Sequence, residues 1–206
     1  MSGIEDSIDA QGPRDQPLVA RVKGIILQPK SEWQRIDGES ASVGSLYMGY
    51  IIPLSAIPPI AGFIGMSFLG LGFFRVPIGL GLESAIIRYI MGLVGVYVLA
   101  LIIDALAPTF GGQKNQVQAL KVAAYSSTAA WLAGIFAILP MISFLGILGL
   151  YSLYLLFLGL PIVMKSPADK ALPYTVIVII CAIVIFIVIG AVGSRFTGYP
   201  SMGMLR

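Results

Sequence analysis

Residues 122–164 read VAAYSSTAAWLAGIFAILPMISFLGILGLYSLYLLFLGLPIVM, which is 43 consecutive residues without a charge. A membrane-spanning helix needs about 20 mostly apolar residues, so this stretch is too long for a single span. Pro140 and the turn-compatible residues Met141 to Ser143 divide it into pieces of 19 and 24 residues. The stretch therefore predicts a tight hairpin of two transmembrane helices.

Charges on either side of this hairpin delimit three further spans. Ser40 to Phe74 and Ala171 to Ser194 carry no charge over 35 and 24 residues, and each fits one helix. Between the blocks, Arg88 and Asp104 leave a charge-free centre of 15 residues, which Arg88 extends by lifting its charge towards the headgroups. Backbone hydrogen bonds must close internally in a bilayer, so the fold class is all-α. The expected spans are about 47–70, 86–107, 122–139, 142–163 and 173–194.

Composition excludes most other classes of protein. The chain has 206 residues, 57% apolar and only 11% charged, with a mean hydropathy of +0.91, whereas soluble domains are about 25% charged. It has no histidine, and Cys181 is the only cysteine, which excludes a Cys/His zinc site, an iron–sulfur cluster held by one chain, a disulfide within the chain and a Ser-His-Asp triad. We expect no cofactor, no metal and no enzymatic activity, because the spans hold no second carboxylate or paired nucleophile.

The segment before the first span predicts a short cytoplasmic amphipathic helix. Leu18, Val22, Ile25 and Ile26 recur at helical spacing, while Arg21 falls on the polar side. One interpretation is an interfacial anchor with Trp33 at the headgroups, and the other is a helix packed on the ends of the spans. The expected organisation is a disordered tail, this helical segment, the five-helix domain and a C-terminal tail, at residues 1–16, 17–46, 47–194 and 195–206.

Lysine and arginine predict the orientation. Nine of the thirteen fall on the side of the N-terminus, which favours a cytoplasmic N-terminus and a C-terminus on the opposite side of a cell inner membrane. Between Arg14 and Glu39, five basic residues face four acidic ones, which is too mild a balance for nucleic-acid binding. The expected partners are membrane lipids and other membrane proteins or a second copy of the chain.

Three stretches resemble the bacterial branch of the YIP family, the Ypt/Rab-GTPase-interacting membrane proteins. They are Val22 to Ile36, Asp104 to Gly112 with Ala119 to Tyr125 after it, and Leu150 to Pro161. The family signature resembles Asp-Leu-Tyr-Gly-Pro, of which this chain keeps Asp104 and Pro108. The resemblance implies a scaffold or a membrane-organising, trafficking-type factor that binds protein or lipid partners. Eukaryotic members look like endomembrane proteins that bind prenylated small GTPases.

Asp104 is the only acidic residue inside an expected span, which makes it a candidate for ion or ligand handling. The alternative is a structural role, paired with Lys121 or Lys114. The loop from Phe110 to Lys114 is either a turn or a headgroup site formed with Lys121, and it lacks the phosphate-loop pattern. The candidate partner or lipid contacts are Asp104, Pro108, Gly111, Gly112, Lys114, Lys121, Tyr125 and Trp33.

Prolines and small residues suggest further roles in the spans. Pro53, Pro58 and Pro59 are expected to kink the first span, either as a packing element or, if the protein is a small transporter or channel, as part of its gate together with Asp104. Ala130 and Gly134 form a small-xxx-small pair that serves internal packing or self-association.

Overall fold

The computed structural model of the chain describes residues 17–70 and 74–196. The predicted tail at residues 1–16 and most of the predicted C-terminal tail, residues 197–206, lie outside the described residues. Every regular element in the described part of the chain is a helix. Two short helices come first, α1 at Leu18–Leu27 and α2 at Pro29–Gly38.

Five helical segments that follow are long and apolar enough to cross a membrane, which confirms the five predicted spans. We name them spans 1 to 5, and they run over Val43–Leu69, Ile78–Leu106, Gln116–Ile138, Pro140–Val163 and Ala168–Ile185. The helix of span 5 itself begins at Ala171 and continues to Phe196. Span 2 begins at Ile78 and not near residue 86 as predicted. The helix includes Arg88, whose charge suggested the later start.

Several spans change helix type along their length. Span 1 consists of α-helical and π-helical pieces, Val43–Leu46, Tyr47–Ile51, Ile52–Ser55, Ile57–Ile64 and Gly65–Leu69. Its three prolines, Pro53, Pro58 and Pro59, each lie near the start of an α-helical piece, where a missing N–H costs little. In span 3 the pieces are Gln116–Ser126, Thr128–Ala133 and the 3-10 helix Gly134–Ile138, and in span 4 they are the 3-10 helix Pro140–Leu150 and the α-helix Tyr151–Val163. The short 3-10 turn Pro108–Phe110 precedes span 3, and the 3-10 turn Ala168–Lys170 forms the start of span 5.

Span 3 lies at the centre of the bundle. In its most apolar stretch 56% of the residues are buried, against 11% in span 4. The difference follows from side-chain size, because small residues such as Ala119, Ala123 and Ala124 let neighbouring helices approach closely. The Ala130 and Gly134 pair is used inside the chain: Gly134 lies against Pro58 of span 1, and Ala130 lies against Gly149 of span 4.

One end of the bundle collects most of the basic residues. We call it the basic end, and it consists of α1, α2, residues 107–115, the first turns of span 3 and residues 164–170. Gln113 donates its backbone N–H to the Met164 carbonyl at 2.8 Å, and Lys165 forms an ion pair with Asp37 of α2. The basic residues at this end are Arg21, Lys23, Lys30, Arg35, Lys114, Lys121, Lys165 and Lys170.

Candidate functional site

Arg21 on α1 is buried, with 5% of its surface exposed, beside the apolar Ile25. The prediction that Arg21 lies on a polar, outward face of this helix was therefore wrong. The helix turns its apolar residues Leu18, Val22 and Ile26 towards the protein core as well, where each is partly buried. A guanidinium can enter such an interface only if its donors are satisfied.

Two carboxylates accept hydrogen bonds from the Arg21 guanidinium. Its Nη1 donates to Glu32 Oε1 at 2.6 Å, and its Nη2 donates to both carboxylate oxygens of Glu39 at 2.5 Å. Glu32 is itself 4% exposed. Its carboxylate lies so close to α1 that a Cβ at Gly24 would be 2.6 Å from the carboxyl carbon, so a side chain at that position would displace the Glu32 carboxylate. The two ion pairs tie α1 to α2 and to the residues after it.

Lys121 of span 3 extends this network into the bundle. It is 3% exposed, and its Nζ donates to the Ile36 carbonyl at 3.0 Å and to the Glu39 carbonyl. Lys121 therefore caps the C-terminal end of α2, where unpaired carbonyls and the helix dipole favour a cation. We call Arg21, Glu32, Glu39 and Lys121 the polar latch, since together they join α1 and α2 to span 3.

The carboxylates keep Arg21 charged. Burial by itself would lower the pKa of the Arg21 guanidinium, but the hydrogen bond and charge of Glu39, with the charges of Tyr125 and Glu32, raise this pKa above its ordinary value. The latch is therefore a fixed ionic contact and does not release through loss of the Arg21 proton.

An aromatic cluster lies beneath the latch. The Arg21 guanidinium carbon is 5.6 Å from the centre of the Tyr125 ring, a cation–π distance. Tyr125 makes edge-to-face contacts with Tyr50 at 4.6 Å and with Trp33 at 6.3 Å between ring centres. The Tyr50 hydroxyl and the Thr128 hydroxyl are hydrogen-bonded at 2.7 Å. These contacts connect α1, α2, span 1 and span 3 in one packed unit.

Trp33 is completely buried, which favours the second interpretation, a helix packed on the spans, over an anchor with Trp33 at the headgroups. It packs against span 4, where a Cβ at Gly159 would lie 2.6 Å from its ring. The ring position is set by the absence of a side chain at Gly159, which no periodicity in the sequence reveals. Tyr125, at 8% exposure, and Lys121 are likewise interior contacts and not surface contacts.

A cavity of about 240 Å³ opens beside the latch. Its wall includes Arg21, Glu39 and Tyr125 together with Tyr50 and Ser45. The cavity combines charged groups with aromatic rings and lies at the basic end of the bundle.

The loop from Pro108 to Asn115 is a structural turn. Gly111 has a left-handed φ of 73°, and its N–H donates to the Pro108 carbonyl. The N–H groups of Gly112 and Gln113 donate to Ala107 and Met164, both at 2.8 Å. Since these three amides are engaged, Gly111 and Gly112 do not offer them to a headgroup phosphate, and headgroup binding at this loop stays a prediction that rests on the Lys114 side chain. Lys114 is exposed beside the turn.

Asp104 lies near the end of span 2 and is not paired with Lys121, whose donors go to Ile36 and Glu39. Its Oδ1 is buried and has no hydrogen-bond partner in the part of the chain that the structure describes. The neighbouring backbone is well anchored, because the Tyr174 hydroxyl donates to the Ile103 carbonyl at 2.5 Å and the Tyr174 ring stacks on Phe110 at 4.8 Å. Exposed Pro108 begins the turn that follows.

Sequence reasoning did not find Arg21, Glu32 or Glu39 as members of the site. The sequence does hold a signal for them, because it places opposite charges on two successive helices. Arg21 lies on α1, Pro29 begins α2, and Glu32 and Glu39 lie in and directly after α2. Among residues 17–70 and 74–196, no three His, Cys, Asp or Glu side chains come together in a way that could hold a metal ion.

Comparison with known proteins identifies a family and relatives for this chain. The model of the Yip1 domain family matches residues 23–189. Inner membrane protein YohC of Escherichia coli, from each of two strains, is 27% identical over 128 residues. The aligned region is 60% of this chain and 66% of the length of that relative, so the chain spans slightly less than two thirds of it. No solved structure matches significantly.

Proposed function

The chain belongs to the Yip1 domain family, and we propose that it is a non-enzymatic scaffold of the inner membrane whose basic end binds anionic phospholipid headgroups and organises other membrane proteins around them. Its N-terminus would lie in the cytoplasm and its C-terminus on the opposite side. Support for a scaffold comes from the site itself, which holds two helices rigidly against the spans and brings no nucleophile, acid–base pair or metal-ligand group together in the described residues.

The polar latch is the observation that carries this proposal. It fixes α1 and α2 to span 3 through Arg21 and Lys121, so the surface above the spans has a defined shape. A fixed surface binds without the ordering cost that a mobile segment would add. The outward residues of α1 include Val19 and Leu27, which are 62% and 73% exposed. These side chains suit contact with the outer part of the acyl-chain region of a bilayer.

Charge on this surface favours anions. Six basic side chains of the basic end are exposed, and four of them, Lys23, Lys30, Lys114 and Lys170, have no ion-pair partner among the residues described. Each lysine near an anionic membrane surface adds about 1 kcal/mol of attraction. Acidic residues at the same end are largely engaged, since Glu32 and Glu39 bind Arg21 and Asp37 binds Lys165. The exposed side chains of this surface are Lys23, Lys30, Arg35, Lys114, Lys165 and Lys170.

The test is lipid retention by the purified full-length protein. We expect the protein extracted in mild detergent to retain phosphatidylglycerol and cardiolipin above their share in the membrane, measured by mass spectrometry of the bound lipid. The triple variant Lys23→Gln, Lys30→Gln, Lys114→Gln should retain at least fivefold less anionic lipid, because about 1 kcal/mol is lost per lysine.

Arg75→Gln is the matched control, because Arg75 is exposed but lies outside the basic end. It should retain as much anionic lipid as the wild type. Equal retention by the wild type and the triple variant would refute headgroup binding at this end. The same sample identifies protein partners, and their loss from the triple variant alone would locate them on the same surface.

Asp104 supports a second candidate function, a small transporter. A buried carboxylate oxygen without a partner is the kind of group that takes up a cation or proton inside a membrane. Solute flux through reconstituted protein that the Asp104→Asn variant abolishes would favour transport over the scaffold.

A further inference from the structure

A second cavity lies away from the basic end, between spans 1 and 2. Its volume is about 80 Å³, and Pro58, Phe63 and Val76 form part of its apolar wall. Three polar side chains also line it, Ser67 of span 1 and Ser84 and Arg88 of span 2. The space is of the order of a few water molecules, which suits one small polar group and not a whole headgroup.

Arg88 brings a cation to this cavity from within span 2, and its side chain is exposed. It lies ten residues after the first residue of span 2, which at 1.5 Å per residue is about 15 Å along the helix. The 29-residue helix is about 43 Å long, so Arg88 lies about 8 Å inside a centred hydrocarbon layer of about 30 Å. A guanidinium at that depth is unfavourable unless an acceptor satisfies it.

The chain supplies no such acceptor in its described part. No acidic side chain of residues 17–70 and 74–196 forms an ion pair with Arg88. Glu83, the other charged residue in the first half of span 2, is exposed five positions earlier and so lies on a different side of the helix. The described residues therefore leave the Arg88 guanidinium open to an acceptor from a bound molecule.

Ser67 provides a second donor at the same place. It is 7% exposed, and its Oγ is buried without a hydrogen-bond partner among the residues described. The Ser84 hydroxyl is already used, since it donates to the Leu80 carbonyl at 2.7 Å. One buried hydroxyl and one exposed guanidinium thus belong to residues that line the cavity, and neither has a hydrogen-bond partner among the residues described.

We propose that this cavity binds one phosphate group, held by the Arg88 guanidinium and the Ser67 hydroxyl. A guanidinium matches two oxygens of a phosphate at once, and the hydroxyl donates to a third. The phosphate belongs either to a phospholipid, whose acyl chains lie along spans 1 and 2, or to inorganic phosphate. The site is independent of the proposed function, because its residues are not part of the basic end.

Native mass spectrometry of the delipidated full-length protein tests the proposal. Phosphatidylglycerol, a diacylglycerol with the same acyl chains and inorganic phosphate are the three probes. The measurement is repeated in the triple lysine variant, so that lipid bound at the basic end is not counted. We expect one phosphatidylglycerol per chain to bind at least tenfold more tightly than diacylglycerol, because only the former has a phosphate.

The variants locate the site. Arg88→Gln should weaken phosphatidylglycerol binding about tenfold or more, and Ser67→Ala about threefold to tenfold. Arg88→Lys should be intermediate, because it keeps the charge but not the planar pair of donors. Arg75→Gln, an exposed arginine that does not line the cavity, should bind like the wild type.

Two results would overturn the proposal: diacylglycerol binding as tightly as phosphatidylglycerol, or unchanged binding in Ser67→Ala and Arg88→Lys together. These two conservative variants decide the question even if Arg88→Gln fails to fold. Competition by inorganic phosphate would identify the free anion as a ligand, whereas binding of the lipid alone would identify the headgroup.

Discussion

Arg21 shows how a charged side chain is kept at the boundary between a membrane bundle and its N-terminal helices. Its guanidinium is shared by two carboxylates and covers an aromatic ring, so both of its terminal nitrogens have an acceptor. The pair of glutamates was brought into this low-polarity interface only because Arg21 is there. Removing one partner would therefore leave uncompensated charge in the interior.

We expect Arg21→Ala to destabilise the protein by about 3–5 kcal/mol, because Glu32 and Glu39 lose their ion pairs with Arg21, at 2.6 and 2.5 Å, while remaining buried or partly buried. Unfolding in mixed-detergent titrations, followed by circular dichroism, measures this loss. Arg35→Ala is the control: Arg35 is 56% exposed on its side chain, and its removal should cost less than about 1 kcal/mol. Equal losses in the two variants would contradict the central place given to Arg21.

At the scale of whole elements, the contact between α2 and span 4 depends on a missing side chain. Trp33 fills the space above Gly159, while Gly146 in the same span has no heavy atom within 4 Å of the position of an added Cβ. The two glycines therefore differ in what they do, although the sequence presents both as small residues in an apolar helix. The difference arises from the neighbouring side chain, which is Trp33 at Gly159 and absent at Gly146.

Gly159→Ala should cost about 1–3 kcal/mol, because the new methyl group would force Trp33 from its place. Gly146→Ala should be neutral or slightly stabilising, since alanine favours helix over glycine and meets no atom there. Melting in mild detergent, together with the fluorescence of the tryptophans, compares the two variants. A larger loss in Gly146→Ala would show that the contact with Trp33 is not decisive.

For the molecule as a whole, we expect five spans to place the two ends of the chain on opposite sides of the membrane. We expect the basic end to be the cytoplasmic one, because lysine and arginine are enriched on that side of membrane proteins. Reporter fusions should therefore place Lys165 in the cytoplasm and Arg206 on the other side. If both fusions report the same side, the five-span topology is wrong.

The sequence was informative about insertion and much less so about packing. Positions of charge predicted five spans, because lipid excludes charge wherever in the bundle a helix lies. The same rule could not assign the face of α1, because an apolar stripe packs equally well on lipid or on protein. Which of the two occurs depends on contacts such as Trp33 with Gly159 and Arg21 with Glu39, and these join residues whose spacing carries no periodic signal.

The polar latch also has a consequence for the order of synthesis. Lys121 follows Glu39 by 82 residues, so the two N-terminal helices leave the ribosome well before the helix on which they dock. At about 5–20 residues per second, this interval lasts roughly 4–16 s. During that time Ile25, Trp33 and Ile36 have no protein surface to cover them, and the headgroup region of the membrane is the nearest place where they can rest. Docking would then be a late step of biogenesis, and a newly made chain halted before span 3 should expose Trp33 to lipid.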